Sequence, residues 1–217
     1  MSLVPASFLF RFTIPVQSAT NLPRSKAPLL ALPDSHRVPF PSALEGEESF
    51  AELRLGWNKN GLAINVQVNG KKKLPICDPG KPTSSDGVSF WVDTRDTQTQ
   101  HRASRYCHQF VALPLGGGSK GTDPVFQQLP VPRAREDAPL IDPDVFLLES
   151  DASKSGYQLS IWCPAEALHG FDPQSQNRLG FSLVVRDWEL GQQWLTVGEQ
   201  FPSDGDPSLW TSLELVG

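Results

Sequence analysis

Proline or glycine interrupts this chain so often that long helices have almost nowhere to form. Twenty prolines and seventeen glycines are spread over 217 residues, and each proline removes a backbone donor while each glycine in an element's interior weakens it. Helix-period stretches of about twelve residues are hard to find. What survives between the interruptions alternates with period two, the signature of strands with one face buried.

The alternation is clearest in the middle of the chain. Ala51, Leu53, Leu55 and Trp57 alternate with polar residues, and Leu62, Ile64, Val66 and Val68 do so after the turn Asn58–Gly61, which predicts a hairpin. Val88–Val92 predicts a third strand and Tyr106–Leu113 a fourth, followed by the flexible turn Gly116–Ser119 and a long proline-containing connection through Asp144. Tyr157, Leu159, Ile161 and Cys163 alternate again. Pro164 then opens a short helix through Leu168 that Gly170 stops, Phe181–Val185 predicts a strand ending at Arg186 and Asp187, and Leu209–Leu215 closes the chain. These segments add up to an all-β sandwich, immunoglobulin-like or jelly-roll, of about eight to ten mostly antiparallel strands with one short helix. Residues 1–45 carry too few periodic apolar positions for a core of their own, so the expectation is one domain over 1–217 with 1–45 as extended chain packed on it.

Charge and cysteine usage narrow the function classes. A net charge of −5, with basic residues clustered only at Lys71, Lys72 and Lys73, argues against a nucleic-acid surface; the lysine run reads as a solvated loop end. No apolar stretch is long enough to span a membrane, and Met1–Ala19 lacks a clear signal peptide, which favours the cytoplasm. Cys77, Cys107 and Cys163 are odd in number and widely spaced, so they read as reduced, packing thiols.

Five motifs in order carry a resemblance: W-x-x-x-x-L at Trp57 and Leu62, D-G-V running to V-D-T-R at Asp86–Arg95, G-Y-x-L-x-I-x-x-P at Gly156–Pro164, L-G-F at Leu179–Phe181, and D-P-S-L-W at Asp206–Trp210. Over roughly residues 45 to 217 the chain resembles family 9 carbohydrate-binding modules and their DOMON-like relatives. The resemblance implies a sandwich whose one branch binds sugars and whose other branch binds haem. Its sugar slot implies tryptophans where this chain has Thr83 and Asp204, a carboxylate at Ser89 and an arginine at Val111; Gln109 and Phe110 keep the pattern.

The residues themselves offer candidate ligand-binding positions. Trp188 and Trp194 flank the loop Glu189–Gln193 and can present indole faces to sugar C–H surfaces. His101, Arg102, Arg105, Cys107 and His108 form the densest functional cluster in the chain. Arg105 and His108 of this cluster form a candidate anion site with Arg95, with Gln109 nearby, and His101 with His108 or Cys107 a candidate metal or haem pair. Asp93 with Asp96, Asp142 with Asp144, and Asp204 with Asp206 could hold a structural calcium, and no other cofactor is expected. No nucleophile elbow, zinc-protease helix or phosphate-cradling loop is present, so the expected role is a non-catalytic module binding carbohydrate or another small ligand. A haem- or metal-binding accessory domain and a protein-interaction domain are the alternatives.

Overall fold

The structure, a computed structural model, describes residues 12–41 and 48–217. Twelve strands among these residues form two sheets. The larger sheet runs β1 (Thr13–Gln17), β12 (Thr211–Val216), β10 (Arg178–Asp187), β5 (Gly87–Asp93), β6 (Cys107–Gly117) and β7 (Asp123–Leu129), with β11 (Gly191–Trp194) also paired to β10. The smaller runs β2 (Arg37–Val38), β3 (Ala51–Asn58), β4 (Gly61–Asn69), β9 (Gly156–Pro164) and β8 (Leu147–Ser153). Every ladder between these strands is antiparallel except β1 alongside β12.

Alternation places the core. Val88, Phe90 and Val92 of β5, Phe110 and Ala112 of β6, and Phe181, Leu183 and Val185 of β10 point toward Leu53, Leu55, Ile64, Leu159 and Ile161 of the facing sheet, all of them sealed from solvent. Phe90, Phe110, Phe126, Phe146 and Phe181 meet through ring centroids 4.4 to 6.4 Å apart. Burying each such side chain contributes roughly 1.5–3 kcal/mol.

The opposite face of the larger sheet is not bare. Trp91, Cys107, Val184 and Trp210 form a second apolar cluster there with Val131 of a connecting loop. Leu22, Leu30 and Leu32 cover Ala63 and Trp162 on the outside of the smaller sheet. No helix among the described residues is long and apolar enough to cross a membrane.

The twelve strands exceed the eight to ten expected, and two segments differ in kind from the expectation. The short helix expected at Pro164–Leu168 is a single 3-10 turn, Ala165–Ala167, because Leu168 already leaves helical geometry at ψ 86°. The connection expected from Gly116 to Asp144 contains the edge strand β7, which pairs with β6 from Gln109↔Leu129 to Gly117↔Asp123 around an irregularity after Leu113.

Candidate functional site

The site is built where β10 leaves the larger sheet beside the start of β5. Asp187 ends β10, and its Oδ1 accepts the Glu189 and Leu190 N–H groups at 2.9 and 3.1 Å, folding Trp188–Leu190 into a three-residue hairpin loop. Gly191 closes that loop at φ +98°, a left-handed conformation that glycine adopts without strain. Trp188 is thereby placed at the tip, 70% exposed.

Two hydrogen bonds hold the tip against the segment before β5. The Trp188 N–H donates to Asp86 Oδ1 at 2.7 Å, and its indole Nε1–H donates to the Ser84 carbonyl at 3.1 Å. Asp86 precedes Gly87, where a Cβ would lie 2.4 Å from the Ala112 carbonyl oxygen, so glycine at this position lets β5 start this close to β6. Asp86 Oδ2 accepts the Ile76 N–H at 2.9 Å and the Lys71 ammonium at 3.1 Å, and Lys71 Nζ also donates to Asp187 Oδ2, more closely.

Lys71, Asp86 and Asp187 are all buried side chains, so a cation from the end of the smaller sheet ties together two carboxylates of the larger one. Burial pulls the ammonium's pKa down, and the two carboxylates more than offset this, raising it overall. This corrects the reading of Lys71 as a solvated loop end. Lys72 and Lys73 remain exposed, and their backbone N–H groups hold the Glu189 carboxylate at 3.0 to 3.2 Å.

Beside the tip lies a depression of about 380 Å³ lined by Thr83–Asp86, Arg186–Trp188, Gly191 and Gln192. Arg186 is half-buried there. Its Nη1 donates to Ser89 Oγ at 2.9 Å, its other N–H groups have no protein acceptor among the described residues, and it lies 5.4 Å from the centre of the Trp194 ring. Burial pulls this guanidinium's pKa down, while Glu199 and Asp204 act in the opposite sense. Trp194 in turn stacks on Trp91 at 6.3 Å and 12°, and its Nε1–H donates to Gln192 Oε1 at 3.0 Å.

Of the two tryptophans expected to meet ligand, Trp188 therefore lines the depression directly, and Trp194 backs the arginine. Arg186 itself was read only as the end of a strand. Its signal was positional: it shares a strand face with Val184 and, across the ladder, with Gln192. Of the positions implied by the resemblance, Thr83 lines the depression, Ser89 anchors Arg186, Asp204 acts on Arg186 at a distance, and Val111 is packed into the sheet.

The second cluster separates. His108 is 0% exposed and stacks on Phe110 at 5.8 Å in the core between the sheets, so it does not join Arg95 and Arg105. Those arginines instead bracket Tyr106, at 4.5 and 5.3 Å from its ring centre, and Tyr106 stacks on His169. Arg105, and then Arg95, holds the Tyr106 hydroxyl below its usual pKa. Gln109 is buried beside Trp91, and its Oε1 has no hydrogen-bond partner among the described residues.

His101 sits exposed in a loop with both Asp206 Oδ2 and Ser208 Oγ on its Nδ1, so neither the expected haem nor metal pairing with His108 or Cys107 forms. No group of three or more His, Cys, Asp or Glu side chains among the described residues is arranged to hold a metal. One member of each carboxylate pair considered for calcium serves a backbone turn: Asp93 accepts from Arg95 and Thr97, Asp142 from Asp144, and Asp206 from Ser208.

All three cysteines are free thiols. Burial raises Cys77 to about 11 and Cys107 to about 12, and raises Cys163 further. Because the thiolate is the nucleophile, alkylation at pH 8 should be slow on the native protein and reach three adducts only after unfolding. Mass spectrometry after iodoacetamide treatment checks this, and rapid native labelling of Cys107 or Cys163 would contradict it.

No family model matches the sequence, and no curated protein does. Solved structures do match the fold. A family 9 carbohydrate-binding module from Caldicellulosiruptor kristjanssonii in complex with cellotriose aligns with TM-score 0.64 at 13% identity, covering 95% of this chain and 94% of that one. The same organism's family 9 module in complex with glucose aligns with TM-score 0.62 at 13% identity, covering 95% and 96%. At this identity the likeness establishes the β-sandwich fold.

Proposed function

We propose that the protein is a non-catalytic carbohydrate-binding module whose ligand stacks on Trp188 and occupies the depression beside Arg186. The observation that carries this reading is the exposed indole, fixed through both its backbone and its ring N–H, next to a half-buried guanidinium with donors unused among the described residues. A pyranose offers C–H faces to an aromatic ring and hydroxyl oxygens to a cationic donor, so the pair matches both of its surfaces. The two structural neighbours, described in complex with cellotriose and glucose, support the ligand class. The site is pre-formed on hairpin ends, which limits the ordering cost of binding. Catalysis is not part of the proposal: the two buried carboxylates at the site, Asp86 and Asp187, are committed to Lys71 and to backbone N–H groups.

Glycan-array screening followed by calorimetry tests it. Wild-type protein should bind at least one neutral glycan, and Trp188→Ala should weaken that binding at least tenfold, about 1.4 kcal/mol, with an unchanged melting temperature because the ring is exposed. A folded wild-type sample that binds no glycan overturns the reading.

A further inference from the structure

The indole of Trp188 borders a second depression. It measures about 230 Å³ and is lined by Lys71, Lys73, Leu74, Ile76, Asp86, Trp188 and Glu189. Leu74 and Ile76, at 49% and 57% exposure, join Trp188 as three of the five most exposed large apolar side chains among the described residues. Exposed apolar side chains that gather beside a cavity, rather than scattering singly, mark a binding surface.

The segment carrying them is ordered by specific contacts. Lys72 and Lys73 are tied through their N–H groups to Glu189, Ile76 exchanges backbone and carboxylate hydrogen bonds with Asp86, and the Asp78 N–H donates to Ser85 Oγ at 2.8 Å. Those bonds use the backbone and leave the Leu74 and Ile76 side chains facing solvent. The same carboxylate, Asp86, anchors Ile76 on one side and Trp188 on the other, so the two depressions share one wall and one anchor.

We propose that the depression at Leu74, Ile76, Lys73 and Glu189 is a second sugar subsite, continuous across Trp188 with the first, so that the ligand is a chain of at least two pyranose units. This rests on the carbohydrate reading of the Trp188 site. The chemistry is that of a sugar edge: Leu74 and Ile76 meet C–H surface, and the Lys73 ammonium and Glu189 carboxylate on the rim meet hydroxyls as donor and acceptor. A monosaccharide seated beside Arg186 would leave this apolar surface in water; the next unit of a chain would cover it.

The discriminating measurement is the ratio of affinities for a short and a longer ligand. Glucose and cellotriose are titrated into wild-type protein and into a Leu74→Ser/Ile76→Ser variant, together with the mono- and trisaccharide of any other glycan class that the array returns. Wild type should bind the trisaccharide at least tenfold more tightly than the monosaccharide. The double variant should lose that advantage, falling about tenfold for the trisaccharide while its monosaccharide affinity stays within twofold and its melting temperature is unchanged. Equal wild-type affinity for both lengths, or a ratio unaffected by the variant, overturns the second subsite and leaves the first intact. Binding of neither length overturns the carbohydrate reading itself.

Discussion

Lys71→Met should cost the protein about 3–5 kcal/mol of stability, the penalty for removing one partner of a buried ion pair. The loss would not come from a missing surface contact, because Lys71, Asp86 and Asp187 side chains are at most 1% exposed. It comes from two carboxylates left facing each other without a cation. Two buried like charges without a counter-ion repel each other and are poorly solvated, which is why removing the cation costs more than the contact it made. In the wild type the Lys71 pKa is raised, so its contribution is full below the unfolded value of 10.5 and fades only as pH rises through the folded one. Across the neutral range it is constant.

A compensating variant separates charge from shape. Lys71→Met/Asp187→Asn removes one carboxylate yet keeps an oxygen to accept the Glu189 and Leu190 N–H groups, so it should regain most of the lost stability. Urea denaturation followed by circular dichroism checks both. A Lys71→Met loss under about 1 kcal/mol would put the triad in the range of surface ion pairs and contradict its role as the link between the sheets.

The contrast between Lys71 and the strands around it shows what the chain discloses locally. The β3–β4 hairpin and the apolar face of β9 were readable because their period-two pattern lies within one segment, and the register Leu53↔Val66 and Leu55↔Ile64 follows from it. Lys71 was not, because its partners lie 15 and 116 residues away and its neighbours Lys72 and Lys73 are solvated lysines. The edge strand β7 escaped for another reason: DPVFQQL mixes proline, acid and amide, as edge strands do to avoid pairing with other chains. At the site, Trp188 was visible as a loop tryptophan. Arg186 was not, because its meaning depends on Ser89 across the ladder, 97 residues away.

His108 marks the subtler failure and carries the second large expectation. Its shared face with Phe110 follows from parity, but β5 and β6 are apolar on both faces, so parity alone did not say which face the two sheets enclose. The structure encloses His108, and neither ring nitrogen has a well-formed hydrogen bond among the described residues; the adjacent His169 carbonyl already accepts the Thr94 hydroxyl at 2.7 Å. Burial pulls the imidazole from 6.5 to about 4, with the His169 backbone only partly opposing it. An unfolded chain therefore binds a proton at His108 that the folded one refuses between those values. Stability should fall as pH drops from 6.5 toward about 4, by about 3 kcal/mol in total, and the contribution should be constant above that window.

His36, also lowered by burial, acts in the same direction. Asp93, whose pKa burial raises, acts in the opposite one. The difference between wild type and His108→Phe isolates the one residue. The phenyl ring keeps the stack on Phe110 without a titrating nitrogen, so the variant should lose less stability than wild type between pH 7 and pH 4.5. Parallel pH–stability curves for the two proteins would show that His108 takes up a proton without leaving its place in the core.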